Sequence, residues 1–211
     1  NRSQSGQCKR IGPWLSISGE AKISHNTWIH RIARVAVRPL VGTPVTPNHL
    51  TTLRLVTGLG ADGVFAIGTP GWRTAGVVLL VVSLLLDRAD GELARLSNRM
   101  SQSGHRYDLY ADGLSNGAVF VGIGIGLNET LLGMWSLPLG ILAAISVVAG
   151  ELILMRLDSL KLVSTADIGG HWGFDPDDGM FAVPLCIALG WDLPLLIAAG
   201  IGAPVAALVI G

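Results

Sequence analysis

Charge is what this sequence has least of. Only 14% of its 211 residues are Asp, Glu, Lys or Arg, whereas soluble globular domains carry roughly 25%. With 50% hydrophobic residues and a mean hydropathy of +0.53, an ordinary soluble domain is excluded. The 15 basic and 15 acidic residues cancel, so no bulk field recruits nucleic acid. Cysteine is scarce as well: Cys8 and Cys186 fit neither a disulfide framework nor a zinc spacing. His25, His30, His49, His105 and His171 show no metal-ligand spacing and read as interfacial or loop residues. There is no internal repeat and no low-complexity tract. The first forty residues are basic and amphipathic rather than continuously apolar, so they do not read as a cleavable signal.

What is abundant is apolar length and glycine. The 28 glycines follow no collagen period and fall mostly inside apolar runs, where membrane helices tolerate them. A spanning helix needs ~20 mostly apolar residues. Six segments are candidates: 50–68, 74–96, 105–126, 134–156, 176–191 and 192–211. The sequence therefore predicts an all-α integral membrane protein with six transmembrane helices, one domain over residues 1–211. Residues 1–48 form a cytoplasmic and interfacial N-terminal segment. Pro70–Trp72, Asn128–Gly133 and Trp191–Pro194 read as turns on one side, with Trp72, Trp135 and Trp191 marking that interface. Of the 15 Lys and Arg, all but Arg73 fall to the other side, Arg54 just inside the first span. That side is cytoplasmic by the positive-inside rule, in the inner membrane if the cell is bacterial.

Before the first span, residues 23–41 repeat apolar residues at helical spacing. Trp28, Ile32, Val35 and Leu40 lie toward one side and Arg31, Arg34 and Arg38 toward the other. This is the pattern of a helix lying in the headgroup region with its arginines toward anionic lipid. A solvated helix that merely precedes the first span has the same spacing.

The chemistry is concentrated from Asp87 to Asp112. Ala75 to Leu86 carry no charge, and carboxylates then arrive abruptly at Asp87 and Asp90. If the helix begins near Arg73, Asp87 lies about 21 Å along it, short of a ~30 Å hydrocarbon layer. A carboxylate at that depth faces a polar cavity or a partner. Asp87 and Asp90 are i,i+3 and share a helix face; Asp108 and Asp112 are i,i+4 and share another. The segment between them leaves room for a hairpin, so the pairs can converge. Four converging carboxylates resist ionisation unless cations lie between them, and all-oxygen ligands suit Mg²⁺ or Mn²⁺. Two such ions form the clamp of phosphoryl transfer. Gly91 lets another chain or a nucleotide approach, and Arg95, one turn on, offers a guanidinium matched to phosphate. Intramembrane acids alone also permit a divalent-cation transporter. That rival predicts acids on both sides of the midplane and has no use for Gly91, Ala94 or Arg95; Asp62 and Glu151 are isolated acids outside the cluster.

The run Asp87-x2-Asp90-Gly91-x2-Ala94-Arg95-x8-Gly104-x3-Asp108-x3-Asp112 resembles the signature of the CDP-alcohol phosphotransferases, with every fixed position filled. Thr46-Pro47-Asn48-His49-Leu50-Thr51 is similar to that family's entry into its first span. The resemblance implies transfer of a phosphate-linked group from a CDP-linked donor to an alcohol acceptor, with release of CMP, in phospholipid biosynthesis. The donor it favours is CDP-diacylglycerol; a soluble CDP-alcohol donor with a lipid or sugar-phosphate acceptor is the alternative. It implies two Mg²⁺ ions (Mn²⁺ as a substitute) held by Asp87, Asp90, Asp108 and Asp112, with Asp112 also the base, and a homodimer. Gly91, Ala94 and Arg95 would grip the CDP moiety, with Ser101, Asn48 and Thr51 nearby. Serine in a turn is commonly no more than a turn residue. Arg156, with Lys161 behind it, reads as an anchor or as a site for an anionic acceptor. Asp178, in the run Asp175-Pro-Asp177-Asp178, reads as an acceptor contact or as a residue at a helix start.

Overall fold

The computed structural model describes residues 28–159 and 176–210. Among the described residues every regular element is helical: α1 (Trp28–Val37), α2 (Pro47–Ala66), α3 (Pro70–Leu96), α4 (Gln102–Gly126), α5 (Ser136–Ser159), α6 (Ala182–Ala188) and α7 (Asp192–Ile210). Local chemistry sets the boundaries. Proline stands in the first turn of α2 and of α3, where its missing N–H costs nothing. The Thr46 N–H before α2 donates to His49 Nδ1 at 3.2 Å. Ser101 caps α4, its hydroxyl accepting from the Gly104 N–H at 3.0 Å. Gly68, at φ +73°, closes α2, and an added Cβ would sit 2.5 Å from the Gly126 carbonyl oxygen.

The expected helices are largely present, but several details differ, including Trp191–Pro194, most of which is the first turn of α7 rather than a turn between helices. Pro70–Trp72 is the first turn of α3 rather than a turn between helices, because proline suits the N1 position. With α3 beginning there, Asp87 moves to about 26 Å along the helix, still within a bilayer's thickness. Segment 176–191 is not one long helix. It is a six-residue 3-10 helix, Pro176–Phe181, followed by the seven-residue α6. Apolar composition is not length, and α6 alone rises only ~10 Å. By length and composition, one helix among the described residues, Gly133–Ile153, is long and apolar enough to cross a membrane. Helices α2, α3 and α4 have the length but carry the charges of the cluster and of Arg54 and Asp62.

Helix α2 packs on α3 and α4, α4 on α5, and α5 on α7, around a core that includes Phe65, Leu84, Phe120, Ile123, Ile187 and Leu196. Glycine permits the close crossings. A Cβ on Gly122 of α4 would stand 2.5 Å from the Asp62 carbonyl oxygen of α2, and one on Gly140 of α5 would stand 2.5 Å from that of Phe120. Outside the core, Val56, Val78, Leu114 and Ile145 remain exposed, an apolar exterior suited to lipid. At the end where α3, α5 and α7 begin, Trp72, Trp135 and Trp191 are exposed together, and Arg73 pairs with Asp192 at 2.8 Å.

Helix α1 corrects another expectation. Ile29, Ala33 and Val37 are buried at four-residue spacing, and Val37 packs with Leu50, Ala89 and Leu93. Ile32 and Val35 stay outward, as an interfacial helix requires. Arg34, however, does not stay outward with the exposed Arg31 and Arg38. It turns inward onto Glu92 of α3.

Candidate active site

The site lies where α2 begins, α3 ends and α4 begins. Helical spacing puts Thr51 and Arg54 on one face of α2, Asp87 and Asp90 on one face of α3, and Asp108 and Asp112 on one face of α4. These faces meet. Asp87, Asp90 and Asp108 each offer a carboxylate oxygen, all within 4.8 Å of one another. Asp90 is the deepest, 3% exposed, and its Oδ2 accepts a 2.6 Å hydrogen bond from Thr51 Oγ1. Asp87 also pairs through Oδ2 with Arg88 Nη1 at 2.9 Å.

In the middle stands Arg54, 1% exposed. Its Nη1 lies 3.2 Å from Asp87 Oδ1 and 3.6 Å from Asp108 Oδ1, and its Nη2 pairs with Asp112. Asp112 therefore joins the cluster through Arg54 rather than through the three-carboxylate group. Ser83 Oγ donates to the Arg54 carbonyl at 2.9 Å and ties α3 to α2 beside the cluster. Two guanidinium groups, Arg54 and Arg88, stand against four carboxylates, an excess of two negative charges, and Asp108 Oδ1 is buried without a hydrogen-bond partner among the described residues. An unsatisfied hard oxygen donor within an excess of negative charge fits Mg²⁺ or Mn²⁺.

The remaining expected positions divide. At Gly91 an added Cβ would meet nothing within 4 Å, so α3 presents open backbone beside Asp90. Ala94 is half-buried, and Arg95, exposed, donates from Nη1 to Glu92 Oε1 at 2.8 Å. Gly104 is needed for space: its Cβ would lie 2.9 Å from Ser101 Oγ and 3.2 Å from Asn48 Oδ1, so α2 and α4 begin side by side. Asn48 and Ser101 are exposed at that junction. Thr51 faces Asp90 rather than open solvent. Arg156 is exposed near the end of α5; Glu151, on the same helix, accepts from Asn116 Nδ2 at 2.7 Å. Asp178 lies on the backbone of the 3-10 helix before α6, and its side chain and Lys161 fall outside the described residues.

Two residues escaped the sequence reading. The charge pattern marks Arg54 only as a guide to orientation, although an arginine inside an apolar helix needs a partner at that depth. Glu92, between Gly91 and Ala94, falls at a position that the motif leaves open. It is 1% exposed and holds His30, Arg34 and Arg95. Its hydrogen bond and its charge together raise the Arg34 pKa above the ordinary value.

Comparison with known proteins now bears on this arrangement. Residues 44–208 match the sequence model of the CDP-alcohol phosphatidyltransferases. The chain belongs to that family. A curated relative, the archaetidylinositol phosphate synthase of Pyrococcus horikoshii, is 30% identical over 89 residues, 42% of this chain and 46% of that protein. The chain thus spans about half the length of this relative.

Proposed function

We propose that the protein transfers a phosphate-linked lipid group from CDP-diacylglycerol, or a similar CDP-linked lipid, to an alcohol and releases CMP. The observation that carries this reading is the convergence of Asp87, Asp90 and Asp108 beside the open backbone at Gly91. The acceptor hydroxyl oxygen forms a bond to the lipid-side phosphorus. The bond from that phosphorus to the bridging pyrophosphate oxygen breaks, and CMP leaves with the bridging oxygen and its electron pair. Asp112, paired with Arg54, takes the hydroxyl proton. Asp87, Asp90, Asp108 and Asp112 are the residues to hold two Mg²⁺, which when bound neutralise the pyrophosphate and the charge gathering on the departing CMP. Arg95, with Gly91 and Ala94, grips the pyrophosphate, while Asn48, Ser101 and the first turn of α2 receive the cytidine side.

The name of the relative, an archaetidylinositol phosphate synthase, supports an acceptor of the same chemical class. A phosphorylated polyol is therefore our first choice, with Arg156 and Asp178 as its contacts. We further read the protein as a homodimer crossing the membrane six times with the site facing the cytoplasm. The exposed apolar exterior and the basic residues gathered at the site's end support this orientation.

The test is CMP release by purified protein from CDP-diacylglycerol and Mg²⁺ over inositol 1-phosphate, inositol, glycerol 3-phosphate, serine and choline. Release with one acceptor, abolished by chelator and by Asp112→Asn, is the expected result. Release only from a soluble CDP-alcohol would reassign the donor. No release from either donor class, alongside Mg²⁺ flux into liposomes, would replace the enzyme with a transporter.

A further inference from the structure

The reaction leaves Glu92 unused, although it stands two residues after Asp90 on the helix that carries half of the cluster. Its Oε1 lies 3.1 Å from His30 Nδ1 and 2.8 Å from Arg95 Nη1, and its Oε2 accepts from Arg34 Nε at 2.9 Å. An ionised carboxylate only accepts, so His30 carries its hydrogen on Nδ1 here. One buried side chain thus joins two residues of α1 to one residue of the donor grip. We propose that Glu92 is a positioning residue that makes the aim of the Arg95 guanidinium depend on the docking of α1. This rests on the proposed role of Arg95 at the CDP-linked donor.

The physical case has three parts. First, the Arg95 side chain is 42% exposed and long, so without an anchor its guanidinium would sample many rotamers. Fixing Nη1 leaves its other donors in a set direction one turn from the open backbone of Gly91. Second, the anchor is itself satisfied only when α1 is seated. Arg34 and His30 supply two of its three partners, and a carboxylate buried to 1% exposure does not keep its place when such partners leave. Third, α1 is seated by few apolar residues. Ile29, Ala33 and Val37 face inward while Ile32 and Val35 face out, and the polar clasp adds to those apolar contacts in holding this ten-residue helix against α3. A helix whose outer apolar face suits a lipid surface is thereby wired to the pyrophosphate grip.

The test compares wild type, Glu92→Gln and Arg34→Gln, in detergent-purified full chain, for donor KM, kcat and the rate of tryptic cleavage after Arg31. Glu92→Gln is expected to raise donor KM at least tenfold, to leave kcat within threefold, and to speed the cleavage at least tenfold. Arg34→Gln leaves Glu92 and Arg95 in place, yet it is expected to raise donor KM threefold or more and to speed the cleavage. It also guards against a Glu92 variant that does not fold. Faster cleavage in Arg34→Gln with wild-type donor KM would overturn the coupling, and unchanged cleavage in both variants would overturn the clasp. Wild-type protein that released no CMP would overturn the functional reading itself, whereas active wild type with unchanged KM in both variants would sink this inference alone.

Discussion

One hydroxyl tests how the cluster is held. Thr51 donates at 2.6 Å to Asp90, the most buried of the three converging carboxylates, and fixes which oxygen Asp90 turns into the cluster. Residues that orient a metal ligand typically matter by about 10–100-fold in affinity or activity. Thr51→Val, close to isosteric, is therefore expected to raise the Mg²⁺ concentration for half-maximal CMP release by about tenfold or more, with Thr51→Ser near wild type. Equal Mg²⁺ dependence in wild type and Thr51→Val would show that the hydroxyl serves only the fold. At this scale the sequence was readable where residues repeat with the helix. Asp87/Asp90 and Asp108/Asp112 share faces by arithmetic alone. It was unreadable where a partner comes from elsewhere in the chain. Nothing local to Arg54 says that it will stand among aspartates more than thirty residues away, and nothing local to Glu92 points to His30 and Arg34.

Among elements, the close crossings are the most exposed to change. Gly122 meets the Asp62 carbonyl and Gly140 that of Phe120, so α2, α4 and α5 touch backbone to backbone. Gly122→Ala puts a methyl 2.5 Å from a carbonyl oxygen that belongs to a helix and cannot rotate away. The helices must part, at a cost of about 1–3 kcal/mol, read as a lowered Tm in detergent. Gly150→Ala on α5, where an added Cβ meets nothing within 4 Å, is the control. It is expected to stabilise by about 0.5–1 kcal/mol through backbone entropy. Equal Tm changes would mean that the crossings have slack. The end of α2 near Gly68 was legible, whereas its start at Pro47 and that of α4 after Ser101 lie three residues ahead of the expected 50 and 105, because the polar first turns there carry no apolar signal. The reading of 176–191 fails because an apolar average conceals where a helix breaks: the 3-10 turn at Pro176–Phe181 and the end of α6 at Ala188 leave only seven residues of α-helix between them.

For the molecule as a whole, the two ends differ in chemistry, and this asymmetry gives it a direction. One end gathers the carboxylate cluster, Arg54, Arg88, Arg95 and Arg99, with α1 packed beside it; the other carries exposed Trp72, Trp135 and Trp191 and the Arg73–Asp192 pair. The proposed nucleotide donor, made in the cytoplasm, could be used only if the first end faces it, and this is the orientation that the positive-inside rule favours for an end rich in arginine. Met100 lies between α3 and α4 at the site's end, and Leu131 lies between α4 and α5 at the other; both are well exposed. With Cys8 and Cys186 replaced by serine, Met100→Cys is expected to react with a membrane-impermeant maleimide in inside-out vesicles and not in right-side-out ones. Leu131→Cys should show the reverse. The reversed pattern for both would place the carboxylate cluster away from its nucleotide and overturn the cytoplasmic site. Labelling of both cysteines from one side would mean that α4 does not cross, and the six-span reading would fall with it.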